Sequence, residues 1–210
     1  MMPEENFVEV ANEPRHRFRL ENEFVRVYDF QLHPGEMTLY HRHDADTFYV
    51  AIEPASILDQ PLGHPPASET VSWPAGIAWC QGYASKPVIH RVTNSGTEAM
   101  RVIGAEVRRP PPGKPSSALQ SAFYELKYED TRVRVYRLNL AAGEGTGTVG
   151  YDFTGLLVAS LSTRLAMREG SRSWVQQVGA GEIHWHVGQL EVEVTNTGAG
   201  PFRAYLAQWL

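Results

Sequence analysis

The chain has 210 residues, 42% hydrophobic and 20% charged, with a formal net charge of −5 and one cysteine, Cys80. That balance describes a globular protein; it argues against a broad nucleic-acid footprint, and the lone cysteine excludes an internal disulfide. No apolar run is long enough to span a bilayer and the N-terminus has no signal-peptide pattern, so a soluble cytoplasmic protein is expected, with no membrane partner.

The 18 glycines and 14 prolines predict many turns and short strands. In chain order, residues 24–30 (FVRVYDF) are rich in aromatic and β-branched side chains and read as a strand, closed by the turn His33-Pro34-Gly35-Glu36. Residues 48–52 (FYVAI) read as a second strand, and Asn94-Ser95-Gly96 as a turn. A proline-rich stretch over 108–117 (RRPPPGKPSS) fits neither a helix nor a central strand and is read as a linker. Residues 116–124 carry the one helix candidate of any length. Strand signals resume at 156–158 and 190–194.

An internal repeat organises these elements. Val25-Arg26-Val27-Tyr28 matches Val133-Arg134-Val135-Tyr136, and Gly35-Glu36 matches Gly143-Glu144, both at an offset of 108 (133 − 25). Val92-Thr93-Asn94-Ser95-Gly96 matches Val194-Thr195-Asn196-Thr197-Gly198 at an offset of 102 (196 − 94). Several matches in one order imply duplication. The expected domains are 1–108 and 118–210, joined by a linker over 109–117.

His41-Arg42-His43 is the chemical signal in the first copy. Side chains alternate along a strand, so His41 and His43 point the same way and can chelate one metal, with His90 as the candidate third ligand. A bare His-x-His is often a solvated strand edge; the repeat context raises its weight. The second copy has Val149, Tyr151 and Val192 at the matching positions, none of which replaces an imidazole. His184 and His186 form another His-x-His, read as packed or rim residues, and Gly145–Gly150 fits a dinucleotide pattern without the helix that pattern needs.

These motifs resemble the cupin superfamily, whose first motif is Gly, five residues, His-x-His, a short spacer and Glu, and whose second places a His four residues before an Asn. Gly35, His41, His43, His90 and Asn94 fit. The resemblance implies an all-β chain of two tandem double-stranded β-helix (jelly-roll) barrels, with His41, His43 and His90 holding a metal in the first and none in the second. The sequence departs at the Glu: Thr47 stands at the usual spacing, and a one-residue shift brings Asp46 there. Asp46 is read as a fourth ligand, a carboxylate supporting one, or a solvated turn residue. Tyr40, Tyr49 and Trp79 are candidates for an aromatic pocket wall or for core packing.

Imidazole ligands suit iron, zinc and nickel rather than magnesium or calcium, and three protein ligands leave positions open. The expected cofactor is one divalent transition metal per chain, iron first, with zinc, nickel or manganese as alternatives. The leading expectation is a metal-dependent oxidoreductase acting on a small organic substrate, of the three-His non-haem iron dioxygenase kind. The alternatives are a non-catalytic metal-bearing binding protein and a zinc, nickel or manganese isomerase or hydrolase. A homo-oligomer remains open.

Overall fold

The computed structural model describes residues 6–111 and 117–210. They fall into two compact units, Met1–Arg109 and Pro110–Leu210. Of the expected linker, residues 112–116 lie outside the described residues.

The first unit contains β1 (Val8–Glu9), β2 (His16–Glu21), β3 (Val25–Leu32), β4 (His41–His43), β5 (Thr47–Ala51), β6 (Ala55–Pro61), β7 (Val71–Trp73), β8 (Ala78–Gln81), β9 (Val88–Asn94) and β10 (Met100–Val107). They form two five-stranded sheets, in the orders β1-β4-β9-β6-β7 and β2-β3-β10-β5-β8. Tyr28, Phe30 and Leu32 alternate along β3 and meet Tyr49, Val92, Met100 and Val102 in one apolar cluster. Gly104 is fixed by close approach: a Cβ there would lie 2.3 Å from a carbon of the Tyr28 ring.

The second unit contains β11 (Tyr124–Glu129), β12 (Val133–Leu140), β13 (Gly145–Tyr151), β14 (Gly155–Ala159), β15 (Thr163–Glu169), β16 (Arg172–Val178), β17 (Ile183–His186), β18 (Leu190–Asn196) and β19 (Phe202–Trp209). Its sheets run β11-β12-β19-β14-β17 and β13-β18-β15-β16. Each strand has its counterpart in the first unit, where β1 adds one further edge strand.

The repeated residues do the same work in both units. Gly35 and Gly143 take φ of 76° and 79°, the left-handed turn that favours glycine. Glu36 accepts the His33 N–H at 2.8 Å, and Glu144 that of Ala141 at 2.8 Å. Buried Asn94 donates to the carbonyls of Leu32 and Glu98 and accepts the Gly96 N–H; Asn196 donates to Leu140, Ala141 and Gly200 and accepts the Gly198 N–H. Each asparagine thereby ties the turn after its own strand to the end of a strand in the other sheet, β3 for Asn94 and β12 for Asn196.

The helix expected over 116–124 does not form: 117–123 is irregular and β11 begins at Tyr124. Leu119 and Phe123 pack against the second unit's core, and the Leu119 N–H donates to the Tyr136 hydroxyl at 2.9 Å. Tertiary packing outweighs the local helix tendency of this short segment. Among the described residues, the helical structure is a 3-10 turn at Val10–Asn12, and no helix is long and apolar enough to cross a membrane.

Candidate metal centre

Strand alternation turns His41 and His43 of β4 to one face, with ring centres 4.9 Å apart. Strand β9 lies antiparallel beside β4 with His90 directly opposite His41. Its ring centre is 4.8 Å from that of His41 and 5.3 Å from that of His43, though 47 residues (90 − 43) separate His90 from His43. A fourth imidazole, unforeseen from the motifs, joins them. His16, at the start of β2, stands 4.8 Å from His41 and 6.0 Å from His43 by ring centre. By ring centre His90 is closer to His43 than His16 is, while the ring nitrogens of His16, His41 and His43 lie within 4.8 Å of one another.

The hydrogen bonds select which nitrogens face inward. His41 donates from Nδ1 to the Leu39 carbonyl at 2.9 Å, and His90 from Nδ1 to Asp59 Oδ1 at 2.6 Å. Both bonds fix the tautomer that leaves Nε2 unprotonated. Nε2 of His41, Nε2 of His90 and Nδ1 of His43 are buried and have no hydrogen-bond partner. Unpaired buried polar atoms are costly, and three clustered imidazole nitrogens are a donor set that fits a divalent transition metal. Burial, reinforced by the neighbouring imidazoles His16 and His90, pushes His41 down to about 3; burial and the same cluster push His43 well below its ordinary value. Both rings are neutral at neutral pH, as ligation requires.

The histidines line a cavity of about 630 Å³. Trp73 and Trp79 stack at 4.7 Å and 5° on its wall, and Tyr49 stacks on Trp79 at 5.1 Å. Tyr83 lies flat against His43 at 4.7 Å, and Lys86 and Gln81 also border the space. Of the three aromatic residues expected to line a pocket, Tyr49 and Trp79 do and Tyr40 does not. Tyr40 immediately precedes His41, so it faces the other side of the chain, where Arg91 covers its ring at 4.7 Å. Asp46 is turned elsewhere: its Oδ1 accepts the Ala84 N–H at 2.8 Å. Thr47 donates its hydroxyl to the Ala45 carbonyl at 3.0 Å. Among the described residues, no carboxylate joins the histidine group.

No family model matches the sequence, and no curated protein is similar to it in sequence. Solved structures are similar in fold. The cupin 2 conserved barrel domain protein from Leptotrichia buccalis has a TM-score of 0.53 at 11% identity, covering 92% of this chain and 87% of that one. A variant of oxalate decarboxylase from Bacillus subtilis has a TM-score of 0.61 at 9% identity, covering 95% and 76%. This chain has the cupin fold. A salicylate 1,2-dioxygenase variant from Pseudoaminobacter salicylatoxidans is similar as well, with a TM-score of 0.59 at 13% identity, covering 89% and 70%.

The second cupin barrel is filled where the first is hollow. In place of the His41–His90 pair, Val149 faces Val192 across the strands, and Tyr151 stands at the position of His43. All three belong to one packed cluster with Tyr124, Phe153, Leu165 and Val178. His184 is half exposed, with Nε2 3.5 Å from Glu169, while His186 is buried beside Tyr151 and Phe153. Burial pushes His186 down to about 4.

Proposed function

We propose that the first barrel binds one divalent transition metal through His41, His43 and His90, and that the protein is a metal-dependent enzyme acting on a small organic molecule in the adjoining cavity. The observation that carries this reading is that Nε2 of His41, Nε2 of His90 and Nδ1 of His43 are buried without hydrogen-bond partners on rings that line one cavity. The leading activity is oxygen-dependent oxidation of the dioxygenase kind, with iron as the first-choice metal; the fold similarity to a salicylate dioxygenase is consistent with it. A bound metal of this class supplies Lewis acidity and, where it is iron, redox chemistry toward dioxygen. The chain's residues supply the remainder. Asp59 and the Leu39 carbonyl hold two imidazoles in the ligating tautomer. Trp73, Trp79 and Tyr49 give the substrate an apolar, planar wall that keeps water away from it.

The test is metal analysis of the purified protein, then oxygen uptake after anaerobic iron loading with diketones, small thiols and hydroxybenzoates as substrates. One metal per chain and substrate-dependent oxygen uptake are expected. A protein that takes up no transition metal overturns the reading. Stoichiometric metal with no turnover on any substrate, iron-loaded or zinc-loaded, makes it a binding protein instead.

A further inference from the structure

Glu13 and His16 lie outside both motifs, yet they reach the centre. His16 opens β2 opposite Phe30 of β3. Its ring lies parallel to Phe30 at 4.6 Å and edge-on to Tyr28 at 4.7 Å, so it cannot swing away without displacing core side chains. Nδ1 is held at 2.9 Å by Glu13 Oε2, which leaves Nε2 for any other partner.

Glu13 is 2% exposed. Its carboxylate accepts the N–H groups of Arg15 at 2.8 Å, His16 at 3.2 Å and Leu39 at 3.2 Å. Leu39 in turn accepts the Nδ1–H of His41 through its carbonyl. One buried anion therefore positions two imidazoles, His16 directly and His41 through a single residue. A buried carboxylate is costly without a compensating positive charge. The Arg15 guanidinium stands 3.5 Å from the carboxylate, and its side chain is about a third exposed.

The second barrel supports the placement. The residue 108 positions after His16 is Tyr124, first of β11, and its hydroxyl meets that of Tyr151, at the position of His43. The N-terminal strand thus delivers a polar group to this point in both barrels; in the first that group is an imidazole.

We infer that His16 is a fourth nitrogen donor to the metal of the first barrel, anchored by Glu13, in place of the carboxylate that β5 does not supply. This rests on the metal-site reading proposed above. The four ligands are imidazoles, and two carboxylates, Glu13 and Asp59, sit one hydrogen bond behind two of them.

The experiment compares wild type, His16→Ala, His16→Gln and Glu13→Gln, each loaded with copper(II) for electron paramagnetic resonance and titrated with zinc against a chromophoric chelator. Circular dichroism checks the fold, and His16→Gln, which can still donate to Glu13, serves if His16→Ala does not fold. Wild type is expected to give a four-nitrogen copper spectrum. His16→Ala is expected to raise g-parallel, lower the copper hyperfine splitting and weaken zinc at least tenfold, with millimolar imidazole restoring the spectrum. Glu13→Gln is expected to keep four nitrogens while weakening zinc about 10- to 100-fold. If folded His16 variants match wild type in spectrum and zinc affinity, the inference is overturned and the three-histidine reading stands. If wild type binds neither metal, the metal-site reading itself fails.

Discussion

Replacing Asn94 and Asn196 by alanine, one at a time, tests whether the repeated asparagine holds each barrel together. Asn94 is 1% exposed and makes three bonds, donating to Leu32 and Glu98 at 3.0 and 2.9 Å and accepting from Gly96 at 2.9 Å. At a net of about 1 kcal/mol per bond, Asn94→Ala costs about 3 kcal/mol. Asn196 is 0% exposed; two amide hydrogens serve three carbonyls, and Oδ1 accepts from both Gly198 and the Thr163 hydroxyl, at 3.1 and 2.7 Å. Counted as four effective bonds, Asn196→Ala costs about 4 kcal/mol. Urea unfolding of the full chain, followed by far-ultraviolet circular dichroism, reads both losses. Asn94→Asp is the control: it keeps the acceptor oxygen but turns a carboxylate toward backbone carbonyls, and it should destabilise at least as much as alanine. Losses below about 1 kcal/mol in both alanine variants, or a neutral Asn94→Asp, would show that these bonds are not what closes the barrel.

Four shorter predictions accompany it. His90→Ala should weaken zinc at least tenfold with an unchanged dichroism spectrum, and unaltered affinity in a chelator competition would remove His90 from the site. Asp59→Asn should cost about 10- to 100-fold in zinc affinity, toward the lower end because the Asp59 side chain is 38% exposed and solvent screens it; Asp59→Leu should cost more, and equal affinities for all three proteins would show that the 2.6 Å bond does not set the tautomer. Metal content by elemental analysis should remain one per chain in the His184→Ala, His186→Ala double variant, and a drop from two to one would place a second ion in the other barrel. Gly104→Ala should destabilise by about 2–3 kcal/mol, since the Tyr28 ring is buried and has nowhere to retreat; a thermal midpoint equal to wild type would refute the steric reading.

Much of this was readable in the sequence because it depends on short-range rules. His41 and His43 share a face by strand alternation, and the offsets of 108 and 102 place Val149 opposite Val192 as His41 stands opposite His90. The same alternation, applied one residue earlier, would have turned Tyr40 away from the pocket. His16 and Glu13 carry no motif. Only the pairing of β2 with β3, with its register shift between Phe18 and Leu20, decides that His16 faces inward. The spacing of Glu13 three residues before His16 was the available hint. Asp59 was equally silent, since its partner His90 is 31 residues away. The apparent helix at 116–124 shows the opposite error, in which local composition yields to the pull of a nearby core.

The two barrels amount to a controlled comparison made by one chain. Both are framed by the same turns, registers and asparagine clamps, so the scaffold does not depend on what fills it. In the solid copy, Tyr124, Tyr151, Phe153 and Leu165 occupy the interior. The hollow copy gives up that packing, and the dispersion energy that comes with it, to keep a chamber lined by imidazoles. Its solid twin shows the same architecture with the interior closed by side chains.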